Sequence, residues 1–220
     1  MVELITGLRA DVVRANLERV RAEIRDAGRD PAEVQILAAV KYVPLDELGV
    51  LADAGLELLG ENRAQDLVAK AEAHSGRFTW DFIGHLQSRK VKLLLPHVRY
   101  VQTVASDSAL EQLRRHGSPE TEILVEVNVA GEAGKSGIAP NELPALLERS
   151  PVNVVGLMTM PPLARDPADS RRYFAALREL AGEHGLPQLS MGTSQDYLVA
   201  VQEGATIVRL GTGLYRPGAS

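Results

Sequence analysis

Residues 36–44, ILAAVKYVP, are an apolar run of strand length that stops at Lys41. Read as a buried strand, this run is the first of a series. Strand candidates recur at 34–40, 56–59, 79–83, 98–104, 122–129, 152–158, 188–191 and 206–210, and a helical pattern follows each of the first seven. The boundaries carry stop and start signals. Gly55, Gly117, Gly185 and Gly204 stand where helix C-termini need a left-handed residue, and Pro96 ends the segment holding Val91, Leu94 and Leu95. Ser108 with Glu111 matches a capping box, and Ser194 can cap the helix carrying Leu198 and Val201. Strands alternating with helices imply right-handed crossovers and a parallel sheet. Eight such units predict an α/β fold, a single (β/α)8 TIM barrel spanning residues 1–220. A doubly wound open sheet is the alternative, because short apolar runs do not prove closure. Leu4, Leu8, Val12, Leu17, Val20 and Ile24 at helical spacing predict an extra N-terminal helix over residues 3–27.

Composition narrows the function. Of the 220 residues, 45% are hydrophobic and 24% charged, as in an ordinary soluble domain. A net charge of -5 offers no basic footprint for nucleic acid or an anionic membrane. Arg89, Lys90 and Lys92 read as a solvated helix face. No cysteine is present, which excludes disulfides and thiolate chemistry. The chain opens into a mixed-charge helix without an apolar signal core, and no apolar run approaches membrane-spanning length, so a cytoplasmic protein is expected. His74, His85, His97, His116 and His184 are scattered without metal-ligand spacing. Trp80 and the stripe Tyr173, Phe174, Leu177 and Leu180 read as core.

In such barrels the active face lies at the carboxyl ends of the strands, with phosphate often bound after strands seven and eight. Those two ends read Ser190-Met191-Gly192-Thr193-Ser194 and Val208-Arg209-Leu210-Gly211-Thr212-Gly213. Gly192 and Gly211 let backbone N–H groups approach an anion, Ser194 and Thr212 add hydroxyls, and both loops lead into helix N-termini. Lys41 would share this mouth. An amine in a partly apolar pocket beside a cation is more readily neutral and attacks carbonyls. An aldehyde bearing a phosphate describes pyridoxal 5'-phosphate (PLP). Taken by itself, Lys41 reads first as a solvated residue beginning a loop. Arg209 could face the cofactor's ring nitrogen or pair with a strand-end carboxylate such as Glu61 or Glu126. A third feature, Gly131-Glu132-Ala133-Gly134-Lys135-Ser136, imitates a nucleotide phosphate loop, but its first glycine would fall at Val129, so the spacing fails.

From about residue 5 to residue 215 the chain resembles the pyridoxal-phosphate homeostasis proteins, the YggS/PROSC family. The resemblance rests on LAAVK (37–41), LLGENRAQD (58–66), WDFIGHLQSRKVK (80–92), VEVNVAGEAGKSGI (125–138), VVGLMTMP (154–161), LSMGTSQDY (189–197) and VRLGTGLY (208–215). It implies one barrel similar to the barrel domain of alanine racemase. It also implies that Lys41 forms a covalent Schiff base with PLP and that Arg209 lies beside the pyridine nitrogen. Ser194, Gly211 and Thr212 match phosphate-binding positions, Asn62 matches an asparagine lining the pocket, and Met158 falls where apolar atoms pack near the ring. The block around Lys135 reads as a rim loop over the pocket. Val40, Asp81, Thr193 and the Leu-Tyr-Arg after Gly213 depart from the commonest pattern.

The function implied is a non-catalytic PLP carrier serving vitamin B6 and amino-acid homeostasis, with PLP-accepting apoenzymes as candidate recipients of the cofactor. A guanidinium at the ring nitrogen weakens the cofactor as an electron sink. The rival is a PLP-dependent amino-acid racemase, which needs a second base. In alanine racemase that base comes from a separate domain across a dimer, expected to be lacking here, and His85 or Tyr197 are the substitutes at hand. A cofactor-free Schiff-base aldolase is a further rival. A lone barrel without a swapped domain is expected to be a monomer.

Overall fold

The computed structural model describes residues 4–216. Among them, eight strands close in sequence order: β1 (Gln35–Ala39), β2 (Leu58–Glu61), β3 (Thr79–Phe82), β4 (Tyr100–Val104), β5 (Glu122–Glu126), β6 (Asn153–Met158), β7 (Gln188–Thr193) and β8 (Ile207–Leu210). Every neighbouring pair is parallel, and β8 pairs with β1, so the sheet is a closed barrel and the open-sheet alternative falls. Helices α1 (Ala10–Asp26), α2 (Leu48–Asp53), α3 (Ala64–Ala73), α4 (Val91–Leu94), α5 (Asp107–His116), α6 (Leu143–Arg149), α7 (Arg171–Glu183), α8 (Tyr197–Gln202) and α9 (Thr212–Tyr215) surround it.

The main core lies between sheet and helices, where Trp80, Phe174 and Leu177 are buried as expected; Leu180 is half-buried against it, and Tyr173, expected in the core, is half-buried outside it beside Arg172. A smaller cluster of Leu37, Tyr100, Leu124, Met158 and Ile207 draws on β1, β4, β5, β6 and β8 and so fills the barrel interior. Arg89 and Lys92 are exposed and Lys90 is half-buried, in keeping with a solvated face. No described helix is long and apolar enough to cross a membrane.

Helix α1 buries Val13, Leu17, Val20 and Ile24 along one stripe and packs against α2, α8 and α9. It thereby covers the seam where β8 meets β1. Buried Asn16 ties it down by donating to the carbonyls of Leu214 (3.2 Å) and Arg216 (2.7 Å). The helix starts at Ala10 rather than near residue 3, which lies outside the described residues. The cause is competition for its first N–H groups. Ile5 N–H donates to the Tyr42 carbonyl (2.8 Å), and Gly7 and Leu8 donate to the Glu47 carboxylate (2.6 and 3.0 Å). Gly7 itself sits at φ +68, outside helical space.

Two expected caps are placed differently. Ser106, not Ser108, caps α5, its hydroxyl accepting from Ala109 N–H (3.2 Å). Gly117 ends that helix in extended backbone (φ −78, ψ 169), whereas Gly55, Gly185 and Gly204 are left-handed as predicted.

Candidate active-face cavity

The carboxyl ends of the strands open onto a cavity of about 310 Å³. It is lined by Lys41, Asn62, Ser194, Arg209, Gly211 and Thr212, together with Ile5, Ala39, Tyr42, Ile83, Met160 and Thr193. Six of the seven residues picked from the sequence therefore meet there. The seventh, Met158, is only 2% exposed inside the barrel and is not among the lining residues. Two positions further on, Met160 reaches the cavity, its Sδ 3.1 Å from Arg209 Nη2. Met160 follows Met158 at the strand period of two, which was the signal for it.

Lys41 follows β1 by two residues and is exposed to the cavity. Its Nζ lies 4.7 Å from the centroid of the Tyr42 ring, a cation–π distance. It makes no hydrogen bond or ion pair with the described residues. Its backbone is fixed from behind: Val40 N–H donates to the Gly60 carbonyl (2.9 Å), and the Val40 carbonyl accepts from Lys70 Nζ (2.7 Å). Lys70 is paired with Glu61 (2.6 Å), which is 0% exposed. The other Glu61 oxygen accepts from the N–H groups of Asn62 (2.7 Å) and Arg63 (3.3 Å), so one carboxylate sets both Asn62 and the support of Lys41. Gly84 makes room for this turn, since a Cβ there would stand 1.9 Å from the Asn62 carbonyl oxygen.

Arg209, in β8, is 6% exposed. It donates to Ser190 Oγ (2.6 Å) and to the Thr159 carbonyl (2.8 Å). It pairs with neither Glu61, which Lys70 holds, nor Glu126, whose oxygen accepts from Ser136 Oγ (2.6 Å). The ion-pair reading of Arg209 therefore fails. Burial lowers its pKa to about 10, opposed by the charges of Asp196 and Glu126. A buried cation without a carboxylate on it favours an electron-rich ligand.

The two glycine turns are joined. Gly192 is left-handed (φ +89), and a Cβ there would stand 2.6 Å from the Ala200 Cβ, so the β7 turn can press against α8 only as glycine. Asp196 Oδ1 accepts from Thr193 N–H (2.8 Å) and Oγ1 (3.1 Å). Ser194 does not cap α8; its hydroxyl instead accepts from Gly211 N–H (3.2 Å), linking the turns after β7 and β8. At Gly211 a Cβ would meet nothing within 4 Å, leaving open space against the opening N–H groups of α9.

A neighbouring cavity of about 470 Å³ shares Met160 and Thr193 with the first; Lys135, expected on a loop over the site, lies in the wall of this neighbour and not among the residues lining the first. Tyr197 is turned away, its hydroxyl donating to Glu23 on α1. His85 is exposed and is not among the residues lining the cavity. Besides Met160, sequence reasoning did not pick Ile5, Ala39, Tyr42, Ile83 and Thr193 as lining residues; Tyr42 adjoins Lys41, while Ile5 arrives through its hydrogen bond to the Tyr42 carbonyl.

The closed barrel and the polar residues lining this mouth define a class. The family model for the alanine racemase N-terminal domain matches residues 9–217, nearly the whole of the described chain. The pyridoxal phosphate homeostasis protein of Aquifex aeolicus is 39% identical over 213 residues, covering 90% of this chain and 93% of that one. Its counterpart from Pseudomonas aeruginosa is 39% identical over 217 residues, covering 92% and 94%. The chain belongs to the pyridoxal phosphate homeostasis protein family. The solved structure of PipY from Synechococcus elongatus with PLP bound is 30% identical, with a TM-score of 0.79 over 93% of this chain and 100% of that chain.

Proposed function

We propose that this protein binds PLP in the 310 Å³ cavity and carries it as a Schiff base on Lys41, without catalysing a reaction. The observation that carries this reading is the meeting of an uncommitted primary amine, a buried guanidinium and two linked hydroxyl-bearing turns around one cavity. When bound, the cofactor supplies an aldehyde and a phosphate. The donor set suits both: Lys41 for the carbonyl carbon, and Ser194, Thr212 and the N–H groups opening α9 for the phosphate. Open space at Gly211 is where a phosphate would be accommodated. Arg209 would lie beside the ring nitrogen and Asn62 along the ring. The PLP-bound homologue at 30% identity supports the choice of ligand.

A carrier needs to hold and release its cargo, and nothing more. Arg209 in place of a carboxylate disfavours a protonated ring nitrogen, which restrains carbanion chemistry. The other titratable side chain lining the cavity is Tyr42, adjacent to Lys41 on the chain, and Tyr197 is committed to Glu23. The reading is of a cytoplasmic monomer serving vitamin B6 and amino-acid homeostasis and passing cofactor to apoenzymes. Its test is the absorbance of protein loaded with PLP and dialysed. Wild type is expected to keep a visible band that borohydride removes, and Lys41→Ala to keep none. A wild type without such a band overturns the proposal.

A further inference from the structure

Hydrogen bonds inside the barrel run in one direction, from the cavity to a single carboxylate. Arg209 Nη1 donates to Ser190 Oγ (2.6 Å), Ser190 Oγ donates to Gln102 Oε1 (2.6 Å), and Gln102 Nε2 donates to Asp81 Oδ2 (2.7 Å). Arg99 closes the far end with two bonds to Asp81, Nε to Oδ1 (3.0 Å) and Nη2 to Oδ2 (2.7 Å). Ser190, Gln102 and Asp81 are each 0% exposed. These residues sit on β8, β7, β4 and β3, so the relay crosses the barrel interior.

A hydroxyl or a side-chain amide in isolation can be turned either way, but a guanidinium only donates and an ionised carboxylate only accepts. The two ends therefore fix the polarity of the middle. Ser190 has one proton, committed to Gln102, and must offer Arg209 a lone pair. Gln102 must turn its amide toward Asp81 and its carbonyl toward Ser190.

We propose that Asp81, held by Arg99, is a positioning residue for the cofactor site: through Gln102 and Ser190 it fixes the orientation of the Arg209 guanidinium that meets the ligand ring. This rests on the PLP reading above and extends it to a residue that does not line the cavity. With asparagine at position 81 the terminal group can donate as well as accept. Gln102 then has two comparable orientations, the Ser190 hydroxyl is released, and Arg209 keeps the Thr159 carbonyl on Nη2 but loses the fixed acceptor on Nη1. A purely structural ion pair would stabilise the barrel without governing Arg209.

Arginine side-chain NMR of the ligand-free protein, labelled with nitrogen-15, tests this directly. Arg209, assigned with Arg209→Lys, is expected to show hindered rotation of its Nη groups in wild type and averaged signals in Asp81→Asn and Ser190→Ala. In PLP-loaded protein, both variants are expected to release cofactor about tenfold faster, roughly the worth of one charge-assisted hydrogen bond. Should Asp81→Asn fail to fold, Gln102→Met decides, with the same loss expected, because it cuts the link between Asp81 and Ser190 while leaving Ser190 and the Asp81–Arg99 pair in place. Unchanged Arg209 signals and unchanged release in the folded variants overturn the relay. A wild type that takes up no PLP overturns the cofactor reading alone, since the ligand-free signals still judge the relay.

Discussion

The Lys70 ammonium and the Glu61 carboxylate lie 2.6 Å apart inside the barrel wall, with side-chain exposures of 8% and 0%. The same ammonium donates to the carbonyl of Val40, one residue before Lys41. Taking one partner away leaves the other charged and buried. Lys70→Met is therefore expected to cost about 3 kcal/mol of stability, with Glu61→Gln similar. The double variant should lose much less than the sum of the two. Urea unfolding of all three checks this, and single losses under about 1 kcal/mol would contradict it.

On the proposed reading, Ser194 and Thr212 would hold the phosphate and not the ring. Ser194→Ala and Thr212→Val should each weaken PLP binding about tenfold, as expected for one hydrogen bond to a charged group. Binding of unphosphorylated pyridoxal should barely change. Titrations with the two ligands separate the cases, and equal losses for both would place the hydroxyls elsewhere.

Tyr215 is buried and donates to the Ala39 carbonyl at 3.0 Å. Burial, with a lesser contribution from the Glu61 charge, raises its phenol pKa. The unfolded chain releases this proton near the ordinary tyrosine value of about 10, whereas the folded chain keeps it. The native state then binds more protons than the unfolded state, so stability falls as pH rises above about 10. Tyr215→Phe should be less stable by about 1 kcal/mol at neutral pH yet decline less steeply in alkali. Parallel alkaline stability curves for the two proteins would contradict the assignment.

Gly84 fits against the backbone of Asn62 because it has no side chain. Gly84→Ala forces the turn after β2 to move, with an expected loss of about 2 kcal/mol or more and weaker PLP binding. Gly182, exposed near the end of α7, is the control, because an added methyl there would meet nothing within 4 Å. Gly182→Ala should be neutral or stabilising. Thermal unfolding of the pair decides between them.

Much of this architecture is legible in the chain because buried strands of a parallel barrel are apolar and short, and turns mark their ends. Reading fails where polar groups go inside. The second strand, expected at 56–59, is Leu58–Glu61, since Gly60 and Glu61 look like loop residues until Lys70 neutralises the carboxylate. The fifth, expected to reach 129, stops at Glu126; Val127 makes only an isolated bridge with Ile138. That Lys41, Ser194, Gly211 and Thr212 line one cavity could be read because strand ends and glycine turns fix where the chain meets the barrel mouth. The relay from Arg209 to Asp81 was not, because Ser190 and Gln102 are 88 residues apart in sequence and meet only when the barrel closes. Ser194 shows the same limit: a serine before a helix reads as a cap, but its partner, Gly211, belongs to the next strand's turn.

The central claim is covalent attachment of the cofactor to one amine. Protein loaded with PLP, reduced with borohydride, digested and mapped by mass spectrometry measures it directly. The expected result is a pyridoxyl-phosphate mass increment on the peptide bearing Lys41, at close to one per chain and absent from Lys41→Ala. An increment spread over surface lysines, or fixed mainly on another lysine, would contradict the account.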